Sequence, residues 1–324
     1  MEKEKVLITG GAGYLGGVIT RYLLERGCKV TCLDTLMYRQ QSPLCFAENP
    51  DYEFIRGDAR DQRLLGNLVH RHDILIPLAA YVGMPICNKI PAEDVRSLNY
   101  EAVSAINNLR SNWQKLLYPT TNSGYGETDG ESFCDEESPL RPISLYGETK
   151  ALAEQELLKG EKEVIAFRLA TVFGLSPRMR LDLLVNDFTY KAISVGSILL
   201  FQPHYKRNFV HIRDVARVFM YAIDHYEDMA VKRLYNVVLS EANMTKGQLA
   251  EKIKSHVPDF KITVGEGKDP DNRNCIVSCK RLLDTGFEFK HSLDEGIQEL
   301  IRARDLLQSP SILTSSDNQR YANE

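Results

Sequence analysis

Short apolar runs alternate with longer amphipathic stretches from the start of the chain. Residues 6–9 (Val-Leu-Ile-Thr) read as a buried strand, and residues 14–26 place apolar side chains at helical spacing. Strands are predicted over 29–34, closing on Asp34, and over 53–56, ahead of a helix over 62–70. The run 74–80 is apolar throughout, as a central parallel strand covered on both faces must be. A long helix over 92–109, a strand over 115–118 ending at Thr120-Thr121, a helix over 144–158 and a strand over 164–169 continue the alternation. This order predicts an α/β fold with a Rossmann-like, doubly wound parallel sheet.

Past about residue 173 the pattern becomes irregular. A loop over 174–180 carries Pro177, Arg178 and Arg180; a helix over 183–195 and short strands near 198–201 and 207–210 follow. Helix returns over 212–225 and strand over 234–238. Segments 246–256, 260–264 and 293–307 suggest a smaller C-terminal α/β lobe. The expected division is a first domain over 1–175 with return segments near 208–238, a lobe from 176–207 and 239–307, and a polar, mobile tail over 308–324.

Composition narrows the class. The 324 residues suffice for two domains, and 43% hydrophobic with 26% charged residues is ordinary for a soluble protein. A net charge of −4 gives no overall drive toward nucleic acid or an anionic membrane. No apolar stretch has the form of a signal peptide or spanning helix, so a cytoplasmic location is expected. The seven cysteines are scattered and odd in number, as for reduced thiols. Cys28/Cys32 and Cys275/Cys279 lie in or beside strand-like runs with no His cluster, so no metal is expected. His70 and His72 read as a solvated helix end, and Trp113 as structural.

Candidate chemistry begins at Gly10-Gly11-Ala12-Gly13-Tyr14-Leu15-Gly16, directly after a strand and opening a helix. Glycines there permit a tight turn, close approach of a pyrophosphate to backbone, and close helix–strand packing. The helix N-terminus offers unpaired N–H groups to the phosphates. Asp34 ends the second strand, where an acid binds ribose hydroxyls and repels a 2′-phosphate, so NAD is favoured over NADP. Tyr146 and Lys150 are four apart on a predicted helix and share a face. An ammonium near a phenol favours the phenolate, which can take a proton from a substrate hydroxyl as hydride leaves the same carbon. Thr121 ends a predicted central strand, where ligands of open parallel sheets sit.

Together these motifs resemble the extended short-chain dehydrogenase/reductases acting on nucleotide sugars, over roughly the first 305 residues. The resemblance implies adenine contacts at Asp58 and Ala59, further cofactor contacts at Leu78, Ala79 and Ala80, and a matching Asn at Asn99. It also implies that Arg207, Asn186 and Arg273 serve the sugar diphosphate, and that the helices holding Asn99 and Tyr146 pair in a homodimer. Two positions depart from the family: Leu78 stands where many relatives have His, and Arg213 where an acid is usual.

The position of Ser123 often reports the reaction in this family, with Glu in 4,6-dehydratases and Cys in 3,5-epimerase/reductases. Asn122-Ser123 offers an amide and a hydroxyl, poor general acids or bases at neutral pH. Dehydration is therefore disfavoured, leaving oxidation at the ring carbon or 4-epimerisation. Segments 122–126 and 168–188 look like a bacterial branch that oxidises GDP-linked manno-heptose at C4 for surface-polysaccharide synthesis, with Asn122, Ser123, Arg178 and Arg180 as substrate contacts. The expectation is an NAD-dependent 4-dehydrogenase of a nucleotide-diphosphate sugar. The alternatives are a 4-epimerase or, outside enzymes, a non-catalytic NAD-binding module.

Overall fold

The computed structural model describes residues 2–267 and 273–309. The residues 310–324, most of the expected tail, lie outside the described residues. The chain begins β1 (Lys5–Thr9), α1 (Tyr14–Glu25), β2 (Lys29–Asp34), β3 (Tyr52–Arg56), α2 (Gln62–Val69), β4 (Ile74–Pro77), α3 (Met84–Cys87), α4 (Ala92–Arg96) and α5 (Ala102–Leu109). It continues through β5 (Lys115–Thr121), β6 (Phe133–Cys134), α6 (Leu145–Lys159), β7 (Ile165–Leu169), β8 (Thr171–Phe173), α7 (Leu184–Ser194), β9 (Ser197–Leu200), β10 (Lys206–His211) and α8 (Ile212–Asp224). The remaining elements are α9 (Tyr226–Ala230), β11 (Leu234–Val237), β12 (Asn243–Thr245), α10 (Lys246–His256), β13 (Lys261–Val264), β14 (Ile276–Val277), α11 (Lys280–Leu283), α12 (Leu293–Arg302) and α13 (Arg304–Leu307).

Seven parallel strands form the main sheet in the order β3-β2-β1-β4-β5-β7-β11. The chain winds outward both ways from the β1/β4 boundary, the switch point at which such sheets open a crevice. Alternate residues feed two cores. Val6, Ile8, Ile76 and Phe167 face a layer containing Val215 and Phe219 of α8. Leu7, Leu75, Leu116 and Ala166 face Leu65, Ile106 and Leu157 of α2, α5 and α6. This period-two division between two helix layers is the physical content of the doubly wound fold. Smaller pairings, β12-β10-β8 and β13-β9, build the region from β8 onward, and β14-β6 ties it back to the loop after β5.

Three predicted elements change shape. The run 74–80 is strand only over Ile74–Pro77; Leu78–Ala80 leave the sheet and cross Gly10, where a Cβ would fall 2.6 Å from the Ala79 nitrogen. The helix over 92–109 contains a π-helical segment, Ser97–Glu101, that carries Asn99. The helix over 293–307 breaks at Ala303. His72 corrects the solvated reading: it is buried, with Nδ1 2.6 Å from the Leu68 carbonyl and Nε2 2.8 Å from Thr31 Oγ1, and burial holds its pKa down. The ring of Trp113 is 64% exposed, so it supports no core.

Candidate active site

A cavity of about 810 Å³ runs along the C-terminal edge of the main sheet. At one end the loop after β1 turns sharply, with Gly10 at φ +73°. A Cβ on Gly16 would stand 2.5 Å from the Gly11 carbonyl oxygen, so glycine alone lets α1 start this close to β1. Gly13 caps α1 without a side-chain hydrogen bond, and the first turn holds no acid. Gly10, Gly13, Tyr14, Leu15 and Gly16 all line the cavity. An uncapped helix N-terminus opening onto a cavity fits the pyrophosphate of a dinucleotide.

Asp34, at the end of β2, accepts from the backbone N–H of Ala12 (3.1 Å) and Leu36 (2.8 Å) and from Gln40 (3.2 Å). Burial raises its pKa, and those N–H groups oppose the rise. Asp58, Ala59, Leu78, Ala79 and Ala80 complete this wall. The Asp58 carboxylate pairs with Arg60 at 2.7 Å.

Midway, Thr121 ends β5 and faces α6, whose first turn is fixed by Ser144 accepting from the Gly147 N–H at 3.2 Å. Thr121 lies near enough to Tyr146 for its hydroxyl to favour the phenolate. Burial raises the Tyr146 pKa, and Thr121, Arg180 and Arg273 draw it back. Lys150, one turn on, is buried with Nζ 4.1 Å from the Tyr118 ring centroid. Burial pushes its pKa down to about 7, against the pull of Glu154. Glu154 itself is held by Arg168 at 2.6 Å. The cations drawing down the Tyr146 pKa are thus arginines. Asn99 takes no part in the cavity lining: it bonds Tyr81 N–H (2.8 Å), the Tyr81 carbonyl (2.9 Å) and Thr149 Oγ1 (3.3 Å), tying the β4–α3 loop to α6. A π-helical segment often marks such a functional spot.

The other end collects charge from distant segments. Arg180 pairs with Asp182, its Nε 2.8 Å from Oδ1. Burial would raise the Asp182 pKa, but Arg180 outweighs it and keeps the carboxyl below its usual range. Arg273 donates to Ser123 Oγ at 2.5 Å, and Arg207 bonds the Arg273 carbonyl. Asn122 bonds Asn208. Asn122, Ser123, Arg207 and Arg273 line the cavity with Thr121, Tyr146 and Lys150.

Two expected substrate contacts are placed elsewhere. The Asn186 amide is fully buried and used within the fold: Oδ1 accepts from Gly174 N–H (3.0 Å), and Nδ2 donates to Tyr14 OH (3.1 Å) and the Arg180 carbonyl (2.9 Å). It anchors the arginine-bearing loop instead of facing the cavity. Arg178 stacks 4.7 Å over the Tyr38 ring and lies close enough to act on the Asp34 charge, which puts it at the glycine end. Sequence reasoning missed Tyr38, Arg60, Tyr81 and Asp182 in the lining. Only the i, i+2 spacing of Arg180 and Asp182 carried a signal.

Among the described residues, six cations and three carboxylates line the cavity, although the whole chain is acidic. Such a surface suits polyanionic ligands. No group of His, Cys, Asp or Glu among the described residues could hold a metal, and no described helix is long and apolar enough to cross a membrane.

Residues 6–237 match the NAD dependent epimerase/dehydratase family, and the chain belongs to that family. Its cofactor is NAD. The chain is 25% identical to a dTDP-glucose 4,6-dehydratase of Streptomyces niveus, over 92% of this chain and 91% of the relative. It is 26% identical to a UDP-glucose 4-epimerase of Lactobacillus helveticus, over 92% of this chain and 94% of the relative. The fold is shared with a crystal structure of dTDP-glucose 4,6-dehydratase from Bacillus anthracis in complex with NAD (TM-score 0.78, 21% identity, 94% of this chain and 97% of that chain).

Proposed function

We propose that this member of the NAD dependent epimerase/dehydratase family oxidises C4 of a nucleotide-diphosphate sugar, with a GDP-linked heptose or hexose as the substrate class. One observation carries the reading: Thr121, Tyr146 and Lys150 meet in the same cavity as the glycine loop. The glycine loop and the N-terminus of α1 would hold the NAD pyrophosphate. Asp34 would meet the adenosine ribose, and Asp58 and Ala59 the adenine. When bound, NAD supplies a hydride acceptor.

The remaining work belongs to the chain. The Tyr146 oxygen takes the proton of the sugar C4 hydroxyl as that carbon loses hydride, leaving a C4 ketone. Thr121 hydrogen-bonds the same oxygen and orients it. Lys150 supplies positive charge on the nicotinamide-ribose side when protonated. Arg207 and Arg273 pair the sugar diphosphate, whose charges need donors once water is excluded. We also propose a homodimer through the helices bearing Asn99 and Tyr146, where Leu152 of α6 is 40% exposed.

Lining the cavity around Tyr146, Asn122 and Ser123 present no carboxyl, and Asp182 is held ionised by Arg180. A 4,6-dehydratase needs an acid there to move protons during loss of water. This supports oxidation without dehydration. The 4-epimerase alternative is favoured by the likeness to the Lactobacillus helveticus enzyme. It would return the hydride to the opposite face of C4.

Mass spectrometry of GDP-manno-heptose, GDP-mannose and UDP-glucose incubated with enzyme and NAD tests this. Loss of two hydrogens with matching NADH supports the dehydrogenase. An unchanged mass with inverted C4 and no net NADH replaces it with the epimerase. Loss of water would overturn both.

A further inference from the structure

Asn122 is the first residue after β5 and opens a short helical turn, Asn122–Tyr125, which Thr121 caps by accepting from the Ser123 N–H at 3.1 Å. The Asn122 amide reaches β10, where its Nδ2 donates to Asn208 Oδ1. Asn208 Nδ2 in turn donates to the Cys275 carbonyl at 3.1 Å. Both asparagines are buried. Asn122 Oδ1 has no hydrogen-bond partner among the described residues and is open to the cavity that Asn122 lines. Resting on the proposed reaction, we propose that Asn122 is a specificity-determining residue: its Oδ1 accepts a hydrogen bond from a sugar hydroxyl flanking C4, borne on C3 or C6.

An amide side chain has a donor on one side and an acceptor of the same shape on the other, so its neighbours decide which way it faces. A backbone carbonyl only accepts. Asn208 must therefore turn Nδ2 to Cys275, which leaves its Oδ1 facing Asn122. Asn122 must answer with Nδ2, because two amide oxygens face to face would repel and leave buried donors unpaired. The oxygen of Asn122 is what remains for the cavity. The Asn208 backbone is itself fixed, since β10 lies between β8 and β12 and Asn208 pairs in register with Asn243.

An acceptor held in this way takes a hydroxyl and refuses a fluorine, an ether or a keto oxygen, none of which has a proton to give. A site built to bond a substrate hydroxyl discriminates well, because its own polar group is stranded when the hydroxyl is missing. Thr121, the adjoining residue, is assigned to the C4 oxygen, so the hydroxyls on either side of C4 are the ones nearest Asn122. The same orientation bears on the chemistry. An amide oxygen cannot protonate a departing hydroxyl, so the contact holds the flanking group without helping it leave.

The experiment is calorimetric binding of GDP-mannose and its 3-deoxy-3-fluoro and 6-deoxy-6-fluoro analogues to the NADH complexes of wild type, Asn122→Ala and Asn208→Ala. In wild type, one of the two analogues should bind about tenfold more weakly than GDP-mannose. In Asn122→Ala, GDP-mannose itself should weaken by about that factor, and both analogues should then bind within about twofold of it. Asn208→Ala keeps the Asn122 amide but frees it to turn its NH2 toward fluorine, so the penalty should shrink there too. A merely structural role would weaken GDP-mannose and its analogues together and leave their ratio as in wild type. Equal binding of all three by wild type overturns the contact, as does a tenfold ratio that survives Asn122→Ala; the first needs no variant to fold. If the ratio collapses but mass spectrometry finds no oxidation at C4, the reaction assignment fails and the contact stands. If GDP-mannose is oxidised at C4 and the ratio persists, the contact fails and the reaction stands. Failure of GDP-mannose to bind overturns the contact, and the hexose half of the substrate class with it.

Discussion

The two ends of the cavity are made of different material. Between Gly10 and Ala59 the wall comes from three successive strands and the loops that leave them, and its shape is set by backbone. Gly10 sits at φ +73° beneath Ala79, and Gly16 meets Gly11 with no room for a methyl. At the other end Ser123, Arg180, Arg207 and Arg273 arrive from four separate segments, and their positions are set by side-chain hydrogen bonds and the Arg180–Asp182 ion pair. Sterics of the first kind tolerate almost no substitution. Side-chain hydrogen bonding of the second kind can be re-aimed by changing one side chain, which suits a family whose members share a cofactor and differ in reaction.

The sharpest way to break that separation is at its midpoint. Tyr146→Phe removes the proton acceptor and nothing else, so turnover should fall roughly 10²–10⁴-fold. NAD affinity, measured by calorimetry, should stay within about twofold, since the ring and its packing remain and only the hydroxyl is lost. A parallel loss of NAD affinity would mean that the two ends are not independent.

Gly16→Ala attacks the backbone end. The new Cβ would lie 2.5 Å from a carbonyl oxygen that cannot move without shifting β1 or α1. Overpacking of this kind costs about 1–3 kcal/mol. The expected outcome is a lower melting temperature and weakened NAD binding, with the sugar KM unchanged at saturating NAD. A raised sugar KM with normal NAD binding would contradict the assignment of this end.

Arg178 sharpens the boundary. Sequence places it beside Arg180 as a substrate contact, but the loop turns between them. Arg178 lies over Tyr38 near Asp34, while Arg180 reaches the Val82 carbonyl and acts on Tyr146. A cation stacked on an aromatic ring is worth about 0.5–2 kcal/mol. Arg178→Ala should therefore weaken NAD by about tenfold and leave the sugar KM alone. The reverse result would return Arg178 to the substrate.

What could be read from sequence follows the same division. The glycine turn, Asp34 and the Tyr146/Lys150 pair are local patterns, and strand–loop–helix order places them without knowledge of distant contacts. The doubly wound sheet was legible because most of its strands carry short apolar runs between helical stretches. Strands of two or three residues, β6, β8, β12 and β14, show no period-two signal and were missed. The Arg273–Ser123 contact joins residues 150 apart in sequence, and the Asn186 amide looks the same in sequence whether it faces a ligand or a backbone. Only the fold decides such cases.

Lys150 tests whether the centre of the cavity is strained for function. Its ordinary pKa of 10.5 falls to about 7 in the fold because burial disfavours the ammonium. Between those values the unfolded chain binds a proton that the folded chain does not. Stability attributable to this group therefore rises with pH across that window, and below about pH 7 the fold carries the full penalty of a buried cation. Lys150→Met removes the penalty and fills much the same volume. It strands no partner, because Glu154 keeps Arg168 at 2.6 Å. The NAD-free variant should melt a few degrees above wild type below about pH 7, with the gap closing as pH rises toward 10.5, and it should be inactive. A gap that widens with pH would show that the wild-type ammonium is stabilised where it sits, and the centre of the cavity would then be no more strained than its two ends.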